Sequence, residues 1–204
     1  RRLAIVTNGG GPGVLAADWI NEIGLDLGTL PEAVAQELAP QLPPLAALGD
    51  LVNLTEAATP EHYRIAIEAA SKEPSIDGVL AIYTPRSDVA SAEVARAMTE
   101  VRRGMHKPLL GCFMGDQLVL PAREVLQKAS IPTFRTPEAA VGAFGNIASF
   151  YQNQQLLQQT PPPLSNLAAP DVEGARLLIE SVLTERRRIL TEMESKALLS
   201  AFHI

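Results

Sequence analysis

The residues with the clearest chemical character form a glycine-rich run directly after an apolar stretch. The run reads Thr7-Asn8-Gly9-Gly10-Gly11-Pro12-Gly13 and follows the apolar residues Leu3 to Val6. Where a strand turns into a helix, glycines let backbone N–H groups converge, and the helix N-terminus adds partial positive charge. This pattern predicts a phosphate contact that needs no basic side chain, through Asn8, Gly9, Gly10, Gly11 and Gly13. The alternative is a tight strand-to-helix turn that binds nothing.

Two known phosphate-binding motifs require residues that this run has only in part. A nucleoside-triphosphate loop requires Lys followed by Ser or Thr after its last glycine, but Val14 and Leu15 stand there, which argues against hydrolysis by this loop. A dinucleotide fingerprint fits Gly11 to Ala16 in spacing. That motif also needs a second strand that ends in an acid about twenty residues later, whereas Glu32 is expected to start a helix. NAD binding is therefore a minor alternative.

Short apolar stretches alternate with helical segments along the first 160 residues. Such alternation predicts parallel strands joined by right-handed crossovers. We expect residues 1–160 to form a flavodoxin-like, doubly wound parallel sheet in a three-layer α/β fold, with its last strand at an edge. Five strands are expected, the second of them weak: Leu3–Asn8, Leu25–Leu27, Val79–Tyr83, Pro108–Met114 and Ile131–Phe134. The first long helix is expected from Val14 to Ile23, and residues 40–59 show no clear pattern.

Ligands of such sheets bind at the carboxyl ends of the strands. Three loops are expected there, and Asn53, Thr84 and Gly115 represent them as possible substrate-site positions. Ordinary turns and helix caps are the alternative for each loop.

The residues that could act as nucleophiles or bases are few. His62 lies on a charged helix, His106 precedes a strand at its amino end, and His203 lies near the C-terminus. Cys112 stands within an apolar strand, where packing is its expected role. We expect no catalytic residue and no metal site in this chain.

Composition narrows the possible functions further. The 204 residues are 47% hydrophobic, which suffices for a core, and the net charge of −6 argues against a general nucleic-acid or anionic-membrane partner. No apolar run reaches the roughly 18 residues of a spanning helix. The single cysteine excludes an intramolecular disulfide framework, and a reducing cytoplasm is expected.

The last 44 residues differ from the rest. Residues 161–170 are expected to be a proline-rich linker, and 171–204 to hold two helices that begin at Asp171 and Thr191. Two helices cannot bury their apolar faces alone, and the chain begins with Arg1 rather than Met. We therefore expect a fragment of a longer protein.

The chain resembles the NDP-forming acyl-CoA synthetases, relatives of succinyl-CoA synthetase, and especially the ADP-forming acetate–CoA ligases. The resemblance covers nearly the whole chain. It lies in residues 4–14, Thr59-Pro60-Glu61-His62-Tyr63, residues 107–115, Phe134-Arg135-Thr136-Pro137-Glu138-Ala139-Ala140 and residues 153–157.

The resemblance implies that this chain is the second flavodoxin-like domain, followed by the truncated start of an ATP-grasp domain. It implies partner domains in the same polypeptide: a CoA-binding domain, a histidine-bearing flavodoxin-like domain and the ATP-grasp domain. The implied enzyme interconverts acyl-CoA, ADP and phosphate with acid, CoA and ATP. It would use ATP or ADP, Mg²⁺ and CoA outside this fragment, which would hold no cofactor, and it could form homo-oligomers. The glycine run would face the phosphohistidine of the neighbouring domain.

One segment departs from that family. An Asn-Pro-Val-Asp-type segment usually precedes the helix at Pro60, whereas Asp50-Leu51-Val52-Asn53-Leu54 stands here. The departure leaves an alternative open: a regulatory domain that senses acyl-CoA or nucleotide, in a protein lysine acetyltransferase that has lost ligase activity.

Overall fold

Strand β1 (Arg2–Thr7) is central because its apolar side chains are covered on both faces. Leu3 and Ile5 point into one hydrophobic core, while Ala4 and Val6 point into the other. The computed structural model describes residues 1–159 and 169–204. It divides the chain into two compact units, residues 1–158 and 159–204.

The sheet extends on both sides of β1. The other strands are β2 (Asp26–Leu27), β3 (Ala47–Leu48), β4 (Val52–Asn53), β5 (Gly78–Tyr83), β6 (Leu109–Phe113) and β7 (Thr133–Phe134). The strand order is β3-β4-β1-β5-β6-β7, and β2 pairs with the start of β1. Strand β5 occupies one side of β1, so β2 and β4 share the other side. There β2 pairs with Arg2 and Leu3, and β4 pairs with Val6 and Thr7.

Helices cover both faces of this sheet. Helices α1 (Gly10–Glu22) and α6 (Pro137–Gln158) enclose the core that contains Leu3 and Ile5. The opposite core is closed by α2 (Glu32–Leu38), α3 (Pro60–Lys72), α4 (Ser91–Arg102) and α5 (Leu120–Lys128). The predicted three-layer α/β fold with doubly wound order is confirmed.

Three details of the prediction were wrong. The sheet is not wholly parallel, because β3 pairs antiparallel with β4. The sheet has seven strands rather than five, since β3 and β4 lie in the stretch 40–59 and are too short to show periodicity. Helix α1 starts at Gly10 rather than at Val14, so Gly10, Gly11 and Gly13 belong to its first turn rather than to a loop.

In the second unit, residues 169–204 form two helices, α7 (Val172–Thr184) and α8 (Glu192–Ala201). As predicted, Asp171 caps α7: its Oδ1 accepts from the Gly174 N–H at 2.8 Å. Thr191 caps α8 together with Glu194. Of the predicted linker, residues 161–168 lie outside the described residues. Among the described helices, none is both long and apolar enough to cross a membrane.

A close contact between β5 and α6 gives a test of this packing. A Cβ atom at Gly78 would lie 2.5 Å from Cε2 of the Phe144 ring. We expect Gly78→Ala to lower the free energy of unfolding by about 1–3 kcal/mol through overpacking. Gly142→Ala is the control, because nothing lies within 4 Å of its Cβ position, and it should stabilise by about 0.5–1 kcal/mol. Urea unfolding measures both, and equal effects would contradict the packing.

Candidate functional site

Two backbone donors at the N-terminus of α1 have no acceptor in the part of the chain that the structure describes. Thr7 Oγ1 accepts from the Gly9 N–H at 3.0 Å, and the Gly13 N–H donates to the Gly9 carbonyl at 3.2 Å. Pro12 has no N–H group. The N–H groups of Gly10 and Gly11 therefore have no acceptor within residues 1–159 and 169–204. No side chain caps this helix, and its first turn contains no acid.

A side-chain amide lies beside these two donors. Asn53 reaches this position because β4 pairs with β1 in a register that sets Asn53 opposite Thr7. Its Oδ1 accepts from the Thr55 N–H at 3.0 Å, in a turn where Thr55 takes a left-handed φ of 62°. A Cβ atom at Gly10 would lie 3.3 Å from Asn53 Nδ2. The Gly10 and Gly11 N–H groups and the Asn53 amide thus lie near one another at the carboxyl edge of the sheet, and a helix N-terminus there suits an anion.

The Asn8 side chain is buried and joins two loops. Its Oδ1 accepts from the Thr84 N–H at 2.8 Å and from the Thr84 hydroxyl at 3.0 Å. Its Nδ2 donates to the Thr84 carbonyl at 3.0 Å. The structure therefore uses this amide to hold the loop after β5 against the glycine run. A phosphate contact by Asn8 stays a prediction.

The predicted loop that contains Gly115 contacts the predicted loop that contains Thr84. Gly115 takes a left-handed φ of 95°, and a Cβ atom there would lie 3.3 Å from Pro85 Cγ. Arg123 on α5 donates from Nη2 to the carbonyls of Phe113 and Gly115, both at 2.8 Å. The predicted positions Asn53, Thr84 and Gly115 thus all lie at the edge where α1 begins.

Sequence reasoning missed two residues that support this edge. Arg123 gave no signal because an arginine on an amphipathic helix is normally solvated. Tyr63 is fully buried, and its hydroxyl donates to the Ile82 carbonyl at 2.7 Å, near the end of β5. Burial raises the pKa of Tyr63 well above its usual value, so it stays a neutral donor.

The histidines and the cysteine have other surroundings. His62 Nδ1 accepts from the Thr59 N–H at 3.1 Å and caps α3. Cys112 is buried as predicted, and burial raises the pKa of its thiol to about 12, which suits packing rather than nucleophilic attack. His106 is exposed at the opposite edge of the sheet. Within the described ranges no group of three His, Cys, Asp or Glu side chains could hold a metal.

Comparison with known proteins gives one consistent picture. Residues 3–157 match the Ligase-CoA domain family. The chain is 38% identical over 148 residues to the alpha subunit of acetate–CoA ligase (ADP-forming) II from Pyrococcus furiosus, covering 70% of this chain and 32% of that subunit. It is 27% identical over 188 residues to acetate–CoA ligase (ADP-forming) I from Archaeoglobus fulgidus, covering 92% of this chain and 26% of that protein. The chain thus spans a third or less of these relatives.

A solved structure shows the same fold. The apo form of an acetyl-coenzyme A synthetase from Candidatus Korarchaeum cryptofilum, described as dinucleotide-forming, superposes with a TM-score of 0.71 at 27% identity. The match covers 82% of this chain and 36% of that one. The same protein has been solved with phosphate and ADP.

The joint between Asn8 and Thr84 predicts a stability effect. We expect Asn8→Ala to lower the free energy of unfolding by about 1–3 kcal/mol, because it leaves buried backbone groups of Thr84 without partners. Asn153→Ala, an exposed position on α6, is the matched control and should be nearly neutral. Urea unfolding of both variants measures the difference. Equal midpoints would show that the joint does not stabilise the fold.

The His62 cap predicts a pH dependence. Burial lowers the pKa of His62 below its usual 6.5, partly offset by Glu61. Since the native state favours the neutral imidazole, its contribution is full above pH 6.5 and declines as pH falls through 6.5 towards the lower native value. His62→Gln keeps an acceptor that does not titrate. Urea unfolding at pH 7.5 and 5.5 should show the wild type losing stability relative to His62→Gln, and a constant difference would contradict the cap.

Proposed function

The chain belongs to the Ligase-CoA domain family, and from this premise we propose that it is one domain of a longer ADP-forming acid–CoA ligase. That enzyme would interconvert acyl-CoA, ADP and phosphate with free acid, CoA and ATP. The names of the relatives support this reaction. This chain spans a third or less of these relatives, which supports the role of one domain among several.

Within that enzyme, the start of α1 would hold the phosphoryl group carried by a histidine of another domain. The observation that carries this proposal is the pair of free N–H groups at Gly10 and Gly11 beside the Asn53 amide. A helix N-terminus stabilises a nearby anion by about 0.3–1 kcal/mol at an exposed surface, and by more in a dry interface. The first turn contains no acidic residue, so no carboxylate of the helix competes with the phosphate for these N–H groups.

All three donors are uncharged, and this suits a group that must be passed on. A transfer site has to lower the energy of the phosphorylated histidine without trapping it. Backbone and amide donors give directional hydrogen bonds to the phosphoryl oxygens. They add no permanent positive charge, so the phosphoryl group can be transferred to ADP when the nucleotide site comes within reach.

The nucleotide, Mg²⁺ and CoA are assigned to other domains of the same enzyme. The described residues offer no cluster of ligands for a divalent metal. Residues 171–204 are proposed as the opening of the ATP-grasp domain, after a linker at 161–170. We propose a cytoplasmic location for the whole enzyme.

The regulatory alternative rests on the departure at Asp50–Leu54. In the structure Asn53 of that segment sets an amide donor beside Gly10, which supports a working phosphate contact there. The regulatory function is therefore the second candidate.

The decisive variant is Gly10→Asp in the complete enzyme. A carboxylate at the first helical position would occupy the free donors and repel phosphate, so phosphohistidine formation should fall at least a hundredfold. The same carboxylate favours the helix dipole, so the fold should not be weakened. Labelling with radioactive phosphate from ATP measures the effect.

Gly10→Asn is the matched control, because it has nearly the same size without the charge. We expect it to keep most of the labelling. Normal labelling of Gly10→Asp would overturn the phosphate contact. Absence of labelling in the wild-type enzyme would instead favour the regulatory domain.

A further inference from the structure

Most basic residues of the first unit lie beside a carboxylate. Those with an acid within 4.0 Å are Arg1 (through its amino terminus), Arg2, Arg64, Lys72, Arg86, Arg96, Arg123 and Arg135. The part of the chain that the structure describes offers no such partner to Arg102, Arg103, Lys107 or Lys128. These four cations are therefore not offset by a nearby carboxylate, although the chain as a whole has a net charge of −6.

The fold brings these four residues to the amino edge of the sheet. Helix α4 ends at Arg102, Arg103 follows directly, and Lys107 precedes β6. Lys128 is the last residue of α5, which packs beside α4. Because β5, β6 and β7 are parallel, the helices that connect them end at the same edge. That edge lies opposite to the one where α1 begins.

A cleft between the ends of α4 and α5 collects three of these cations. It has a volume of about 520 Å³ and is lined by Thr99, Arg102, Arg103, Val125, Lys128 and Ala129. No acidic and no aromatic side chain is among these residues. Arg102 Nη1 donates to the Met105 carbonyl at 2.8 Å, which fixes its guanidinium at the wall of the cleft. Arg103 and Lys128 are exposed.

Helix geometry explains part of this arrangement. Basic side chains in the last turn of a helix offset the partial negative charge of its free carbonyls. Arg102 and Lys128 occupy the last turns of α4 and α5 and fit that role. The role does not require Arg103, which follows the last turn of α4 and adds a third cation to the same cleft. The carbonyl ends also repel anions, so a ligand binds there through the side chains and not through the backbone.

We propose that the cleft between α4 and α5 binds a small polyphosphate, a ligand with two or more linked phosphoryl groups. An arginine guanidinium presents paired N–H donors that match phosphate oxygens, and a lysine ammonium acts as a compact positive charge. Three separate cations suit an anion whose charge is spread over several linked groups better than a single phosphate. Since no aromatic side chain lines the cleft, recognition depends on the phosphate chain and not on a nucleobase.

Calorimetric titration of the complete protein with inorganic tripolyphosphate tests this site. Low ionic strength is used, because salt screens exposed charges. The double variant Arg103→Gln with Lys128→Gln should weaken binding by about tenfold or more, because it removes charge-assisted hydrogen bonds. The matched control is Arg135→Gln with Lys196→Gln. It also removes one arginine and one lysine charge, at positions that are 74% and 66% exposed and do not line the cleft. Its affinity should stay within about twofold of the wild type.

Two further measurements separate a specific site from general attraction. Arg103→Lys with Lys128→Arg keeps both charges and should retain most of the affinity. Inorganic phosphate should bind about tenfold or more weakly than tripolyphosphate, because it cannot contact all three cations. An unchanged isotherm in the double glutamine variant would overturn the proposal, as would an equal loss in the control pair or in the charge-keeping variant. Equal affinity for phosphate and tripolyphosphate would also contradict it. None of these results depends on the phosphate contact at Gly10 and Gly11.

Discussion

The candidate site depends on one buried joint, the hydrogen bonds between the Asn8 amide and Thr84. Strands β1 and β5 pair as far as Thr7 and Ile82, and beyond these residues one continues into a helix and the other into a loop. The Asn8 side chain satisfies both the N–H and the carbonyl of Thr84. Thr84 thus lies so close to Gly9 that a Cβ atom there would be 3.1 Å from Thr84 Cγ2. A larger residue at position 9 would require the Thr84 side chain to shift by a few tenths of an ångström.

Contacts within the glycine run account for which donors remain free. Thr7 satisfies Gly9, and Gly9 accepts the first hydrogen bond of the helix from Gly13. Proline at position 12 removes a third donor. The remaining N–H groups are those of Gly10 and Gly11, and the Asn53 amide lies beside the Cβ position of Gly10. Every helix begins with such unsatisfied N–H groups. Here Gly9 has no side chain that could accept from the Gly11 N–H, as a Ser or Asp cap would.

The sequence predicted the layers and the edge, but not the details on which the site depends. Buried strands such as β1 and β5 can be predicted from their uninterrupted apolar residues. Helix α3 can be predicted from its Thr-Pro-Glu start. Strands β3 and β4 have two residues each, so no periodicity could reveal them, and Asn53 could be placed only loosely. The start of α1 was predicted four residues late, because glycines suggest a loop. The roles of Asn8, Tyr63 and Arg123 depend on backbone carbonyls and amides distant in sequence, which a local pattern cannot identify.

A phosphate held by neutral donors gains little in water, since water competes for each hydrogen bond. Helix α1 contains no Lys or Arg, and its Leu15 and Trp19 side chains are exposed. Under the proposed function, a second surface that buries the first turns of α1 would exclude water and strengthen the contact with Gly10 and Gly11. Lysine or arginine there would favour solvation of the helix and oppose such burial, whereas Leu15 and Trp19 would favour it. The uncapped terminus and the exposed apolar side chains would then serve one requirement, which is a phosphate contact formed away from water.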